Sequence, residues 1–354
     1  MDLNLHGFAG IRVADATDAD RAAVEAELGP LPRGIDGEPD IVVQFVPRLE
    51  TGALRLIGKD DAGFSDDAFY LLRGRRGAPV RTRIPMDAIG GPCEIVCESG
   101  GGGVPLLRQI VNVTALARGA VPVHGAAFEY GGAGALVTGW SRGGKTEALL
   151  AFMANGARYV GDEWTYLDPS GTRLHGTEEP VTLWDWNLDD LPDQRTVIRL
   201  RDRLRMRAVR AALARDGEGP LVRRGVALAE RRGSTRVEPT RLFGADACIS
   251  ACGFDRLFLA ASHESDEVLV EPCDPADAAR MVAACSAFEH RGLMEQYVKF
   301  RFAFPDRRNA TLDRLEELYV DALLPAFAEK PAYLVTHPYP ARIGSLYDAM
   351  REVM

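Results

Sequence analysis

The chain has 354 residues, more than one ordinary small domain, and can bury a core without help from disulfides or metal. Its 46% hydrophobic and 26% charged residues are the proportions of a soluble globular protein. The formal charge of -9 argues against nucleic acid as a partner, so any phosphate-handling site must concentrate positive charge locally. The first ten residues carry no basic segment followed by an apolar run, and no stretch of about 18 apolar residues occurs. The expectation is a cytoplasmic protein with no membrane partner. The six cysteines include two C-x-x-x-C pairs, Cys93/Cys97 and Cys248/Cys252, in apolar, strand-like surroundings. A four-thiolate zinc site more often uses two-residue spacing, so buried free thiols are expected.

In chain order, residues 1–103 read as a smaller strand-rich domain. Short β-type runs at 40–46, 53–57 and 68–72 are separated by Gly, Pro and Asp, and residues 22–28 suggest a helix. The glycine run 100–103 is taken as the boundary with a second domain, 104–354. There, 105–118 has Leu106, Ile110, Val113 and Ala117 on one helical face, starting with Pro105 and ending at Gly119. A strand at 121–130 carries His124-Gly125, turns at Gly131-Gly132, and is followed by a strand at 135–138. A helix over 147–155 stops at Gly156, and a strand over 158–161 delivers Asp162 and Glu163. Further strands are expected at 164–167, 180–184, 256–260, 267–270 and 332–337, and helices at 275–287, 312–327 and the carboxyl end. An Arg-rich insertion spans about 195–241, with 14 arginines against five acidic residues. Val197, Leu200, Leu204, Ala208 and Ala211 fall on one helical stripe there, leaving the arginines either as a solvated face or as a docking surface for an acidic partner.

The run Gly139-Trp140-Ser141-Arg142-Gly143-Gly144-Lys145-Thr146 fits G-x-x-x-x-G-K-[ST] at every fixed position. Glycines at 139 and 144 permit the torsions that curl consecutive N–H groups around one anion, and the following helix adds its positive dipole end. In this pattern Lys145 reaches the β and γ phosphates, and the Thr146 hydroxyl ligates magnesium. Ser141, Arg142 and Gly143 complete the expected nucleotide-binding loop. Arg142 adds charge near the γ phosphate or points outward into solvent, and Trp140 is expected to pack. A strand before the loop and a helix after it are the context that such a site requires. No motif that reads the base is visible.

Asp162 and Glu163 follow Lys145 by only 17 and 18 residues, so one helix and one short strand return an acid pair to the loop. With His124-Gly125, Lys145-Thr146-Glu147 and Gly156, this compact order resembles the HPr kinase/phosphorylase family, relatives of the ATP-dependent phosphoenolpyruvate carboxykinases. The resemblance covers about 104–168 well and the rest loosely. It implies an α/β fold, a P-loop kinase domain of that type, with ATP and Mg2+ as cofactors and multimer formation. It also implies that Asp162 takes the acceptor's proton or acts near the γ phosphate, that Glu163 helps Thr146 and Asp162 hold magnesium, and that His124 lies near the phosphates. Read alone, a single histidine on a strand is more often structural than functional. The E-V-R-G-x-G signature of the HPr-directed members is missing. The corresponding stretch retains only acidic character at Glu178 and Glu179, read as a turn or as helpers in binding metal. The expectation is therefore a kinase acting on a hydroxyl acceptor other than HPr, protein or small molecule and plausibly acidic. A nucleotide-sensing regulatory protein and a simple NTPase are the alternatives.

Overall fold

The computed structural model describes residues 1–58, 61–73, 80–141, 143–213 and 232–354. Arg142 and the central part of the Arg-rich segment lie outside the described residues. Contacts divide the chain into two compact units: 1–123 with 166–171 and 279–328, and 124–165 with 172–278 and 329–354. Both combine helices with mixed sheets, giving an α/β protein. Among the described residues no helix is long and apolar enough to cross a membrane.

The first unit holds a sheet of β1 (Asp2–Leu5), β2 (Ala9–Ala14), β3 (Ile41–Val46), β4 (Arg55–Ile57), β5 (Ala62–Phe64), β6 (Phe69–Arg73), β7 (Val80–Arg83) and β8 (Cys93–Glu98). Their order is β1-β2-β3-β8-β7-β6-β5-β4. The chain crosses between the parallel strands β2 and β3 through α1 (Asp18–Leu28). That helix starts with a capping box, in which the Thr17 hydroxyl accepts from the Asp20 N–H and the Asp20 carboxylate accepts from the Thr17 N–H. Alternate residues of β3, Ile41, Val43 and Phe45, are buried, as a strand with one covered face requires. α2 (Leu107–Ala117) is buried on nearly every side, beyond the single stripe that its sequence spacing suggests. Buried Asn309 donates to the carbonyl oxygens of Met86 and Ile89, both at 2.8 Å, and accepts from the Leu312 N–H. Cys93 and Cys97 are buried free thiols, and burial pushes both up to about 12.

The second unit is built on β9 (Val121–Tyr130), β10 (Ala133–Gly139), β11 (Arg158–Gly161), β12 (Trp164–Leu167), β13 (Arg173–Gly176), β16 (Ala251–Gly253), β17 (Arg256–Ser262), β18 (Leu269–Cys273) and β19 (Ala332–His337). Its sheet runs β16-β13-β12-β9-β10-β17-β19-β18, with β11 paired to β9. β9 and β10 form an antiparallel hairpin whose turn residues Gly131 and Gly132 both have positive φ, the geometry that matches the twist of a two-residue turn. β10, β17 and β19 are mutually parallel, so their carboxyl ends open on the same edge. α3 (Lys145–Met153) follows β10 and buries Phe152 against Phe128, with ring centroids 4.5 Å apart.

A separate ribbon pairs β14 (Val181–Trp184) with β15 (Ser234–Val237). Between its two strands the chain forms α4 (Asn187–Asp190) and α5 (Leu200–Leu213). The stripe expected to be buried on α5 is exposed: Leu200 is 61% and Leu204 58% accessible, and Ala208 and Ala211 are exposed as well. Met206 enters the core instead. Polar contacts accompany that rotation. Arg210 donates to Asp185 at 3.2 Å and Asp189 at 2.7 Å, and Arg205 donates to the Ser234 carbonyl at 3.1 Å. These arginines serve the protein's own fold, a use that neither sequence-level reading included.

Candidate active site

The candidate site lies wholly in the second unit and begins with the strand register. Gly139 pairs with Ala260 of β17, and Ser262 of β17 pairs with His337 of β19. The loop leaving β10 therefore turns directly over the ends of two neighbouring strands. A Cβ on Gly139 would lie 2.3 Å from the Ala260 carbonyl oxygen, and one on Gly143 would lie 2.8 Å from it. At Gly144, with φ +92°, a Cβ would lie 2.1 Å from His337 Nε2. Packing against the protein's own strands thus demands glycine at these positions, in addition to any ligand that the amides face.

Lys145 opens α3, and its ammonium donates to the carbonyl oxygens of Gly139 at 3.0 Å and Trp140 at 2.9 Å. Thr146 Oγ1 lies 3.2 and 3.1 Å from the two carboxylate oxygens of Asp162. Trp140, expected to pack, is 51% accessible. Arg142 falls outside the described residues.

Asp162 follows β11 and is 2% accessible. Burial pushes its carboxyl up to about 7, with the neighbouring Glu163 charge adding to the rise. Glu163 has φ +69°, a left-handed conformation uncommon for a residue with a side chain. Consecutive side chains of a regular strand point to opposite faces, whereas this reversal lets both carboxylates line one cavity. His124 Nε2 lies 3.3 Å from Glu163 Oε2. That hydrogen bond is the main reason the Glu163 carboxyl is held below its ordinary value. Gly125 completes the junction: its N–H donates to the Glu163 carbonyl at 3.1 Å, and a Cβ there would lie 2.8 Å from the Val137 carbonyl oxygen.

The resulting cavity measures about 220 Å³. Of the residues expected at the site, His124, Ser141, Gly143, Gly144, Lys145, Thr146, Asp162 and Glu163 line it; Gly139 stands behind them at the end of β10. Glu178 and Glu179 do not line it. Glu179 is buried and accepts from the Thr177 hydroxyl at 2.8 Å.

Glu147, part of the motif that carries the resemblance, also lines the cavity, and sequence reasoning missed three further lining residues, Thr182, Trp184 and Tyr339. His337 supports it from below, with Nε2 donating to the Gly143 carbonyl at 2.7 Å. One signal was available for His337 and Tyr339. Ligands of parallel sheets bind beyond the carboxyl ends of the strands, and both residues stand at the end of β19. Thr182 and Trp184 lie on a ribbon outside the main sheet, and no pattern in the chain points to them.

Among the described residues no group of three or more His, Cys, Asp or Glu side chains is arranged to hold a metal ion by itself. The oxygens of Thr146, Asp162 and Glu163 nevertheless suit a hard cation such as magnesium, which takes one or two carboxylates and completes its shell with water and phosphate oxygens. The donor set fits a metal that arrives with a polyphosphate. Comparison with known proteins finds no matching family model and no matching curated protein.

Proposed function

We propose that this protein is a kinase that uses magnesium and ATP to transfer the γ-phosphoryl group to a hydroxyl acceptor other than HPr. The reading rests on one juxtaposition. A buried carboxyl, Asp162, sits at the Thr146 hydroxyl at the start of α3, in the same cavity as Lys145 and the loop amides. Phosphoryl transfer needs positioning and charge neutralisation more than covalent chemistry by the protein. The order of His124-Gly125, loop, helix and acid pair supports placing the chain as a divergent relative of the HPr kinase/phosphorylase family.

In this mechanism the loop amides and Lys145 hold the β and γ phosphates. The acceptor oxygen forms a bond to the γ phosphorus while the bond from that phosphorus to the bridging oxygen breaks, its electron pair leaving with ADP. Asp162, buried beside the Thr146 hydroxyl, takes the hydroxyl proton. Glu163, oriented by His124, stays ionised beside it. Magnesium, held by Thr146, Asp162 and Glu163, would neutralise charge on the polyphosphate.

The test is incubation of the full chain with γ-labelled ATP, magnesium and an extract of host proteins and metabolites. Transfer of label to an acceptor, lost in Lys145→Ala and in Asp162→Asn, is the expected result. Release of free phosphate alone would make the protein a hydrolase, and binding without turnover would make it a sensor. Either outcome overturns the kinase reading.

A further inference from the structure

Three of the cavity's lining residues lie outside the stretch 124–163 and contribute nothing to the phosphoryl chemistry above: Thr182, Trp184 and Tyr339. The Trp184 and Trp186 rings are stacked, with centroids 4.8 Å apart and planes 6° from parallel. Tyr339 meets Trp186 edge-on at 6.0 Å. One face of Trp184 is thus covered by Trp186, while Trp184 itself lines the cavity.

The wall is held in place from behind. The Trp184 N–H donates to the buried Asn187 carboxamide oxygen at 2.8 Å, fixing the turn out of β14. Asp185, between the two tryptophans, is 7% accessible and receives Arg210 of α5 at 3.2 Å. Tyr339 follows His337, the residue that bonds to the phosphate loop itself. Ring wall and loop are therefore parts of one scaffold.

The chemistry of the wall differs from that of the rest of the cavity. His124, Lys145, Asp162 and Glu163 supply charge and proton transfer. The wall offers an indole, a phenol and the Thr182 hydroxyl, which suit a flat, uncharged, weakly polar group. In a nucleoside triphosphate the only group of that description is the base. Aromatic stacking accepts any base, because every base has a π face.

We propose that Trp184, backed by Trp186 and Tyr339, is the stacking surface for the nucleobase of the triphosphate. This inference rests on the nucleotide-binding reading above and adds to it the subsite that holds the ring.

Two probes separate the inference from its premise: ATP, and inorganic tripolyphosphate, which has the phosphates but no ring. Each is titrated with magnesium into the full chain and into Trp184→Ala by calorimetry. The expected result is at least a tenfold loss of ATP affinity in Trp184→Ala, the size of a lost base stack, with tripolyphosphate affinity unchanged. Trp184→Phe, which keeps a ring, should recover most of the loss. Unchanged tripolyphosphate binding also shows that the variant retains its loop. Should ATP affinity stay the same, or should both probes weaken equally, the stacking surface is refuted while the phosphate site stands. Should ATP affinity stay the same while the acceptor's KM rises, the wall belongs to the acceptor. If the wild-type chain binds neither probe, the nucleotide reading fails and takes this proposal with it.

Discussion

His337 Nε2 lies 2.7 Å from the carbonyl oxygen of Gly143, and its ring fills the space that a side chain on Gly144 would need. A carbonyl can only accept, so Nε2 carries the proton in this contact. The end of β19 thereby clamps the turn at which the amides converge.

The clamp predicts how two substitutions combine. His337→Ala leaves a buried carbonyl without its donor and costs about 1–3 kcal/mol. Gly144→Ala costs more, because it pays for positive φ and for the collision with the ring. In the double variant the collision is gone, so urea unfolding should give a loss smaller than the two single losses added together, by about 1 kcal/mol. Strict additivity would show that the ring does not press on the loop.

Asp162 predicts a pH dependence in metal-free protein. Its folded-state pKa of about 7 lies above the ordinary value, so the folded state binds this proton more tightly. The stability this confers is fully present below about pH 4 and is lost as pH rises through 7. Asp162→Asn cannot lose it. With EDTA present, the variant should gain on the wild type between pH 4 and 8, by up to about 4 kcal/mol. Glu163, held low by His124, acts with the opposite sign: its contribution is present above its ordinary range and is lost on acidification. Denaturant midpoints across this range check the difference, and a constant gap would remove Asp162 as its source.

Glu163 holds a left-handed backbone at a cost of about 1 kcal/mol that glycine would not pay. Glu163→Gly should be about 1 kcal/mol more stable than Glu163→Gln in thermal unfolding, both having lost the ionised partner of His124, while losing most phosphoryl transfer. Glu163→Gln, with the backbone cost retained, should lose activity without that gain. A glycine variant that is both less stable than Glu163→Gln and fully active would show that neither the backbone cost nor the carboxylate matters.

In the first unit, Asn309→Ala would orphan two buried carbonyls and remove the cap of the helix Ala310–Asp313. The expected cost is about 3 kcal/mol in chemical denaturation, and a change under about 0.5 kcal/mol would deny Asn309 its bridging role.

Much of the site was legible in the chain because it is local. From His124 to Glu163 the elements follow one another as hairpin, loop, helix and strand, and each carries its own mark. Gly131-Gly132 gives the turn, Gly144-Lys145-Thr146 the loop that opens α3, and Gly156 the helix stop. The same reading failed where tertiary contacts decide. Trp140 was expected to pack and is 51% accessible, on a loop beyond the end of β10. On α5 the apolar stripe pointed to Leu200 and Leu204, yet Met206 is the residue that enters the core, with Arg210 paired to Asp185 and Asp189. Thr182, Trp184 and His337 reach the site only through strand order and a separate ribbon, and neither leaves a periodic signal.

The cavity is assembled from two kinds of chain. Its acids, histidine and amides come from one contiguous stretch of about forty residues, and its aromatic side arrives from segments far along the sequence. Substitutions on the aromatic side therefore fall outside the stretch that carries the acids and amides, so one side of the cavity can vary in sequence while the other is kept.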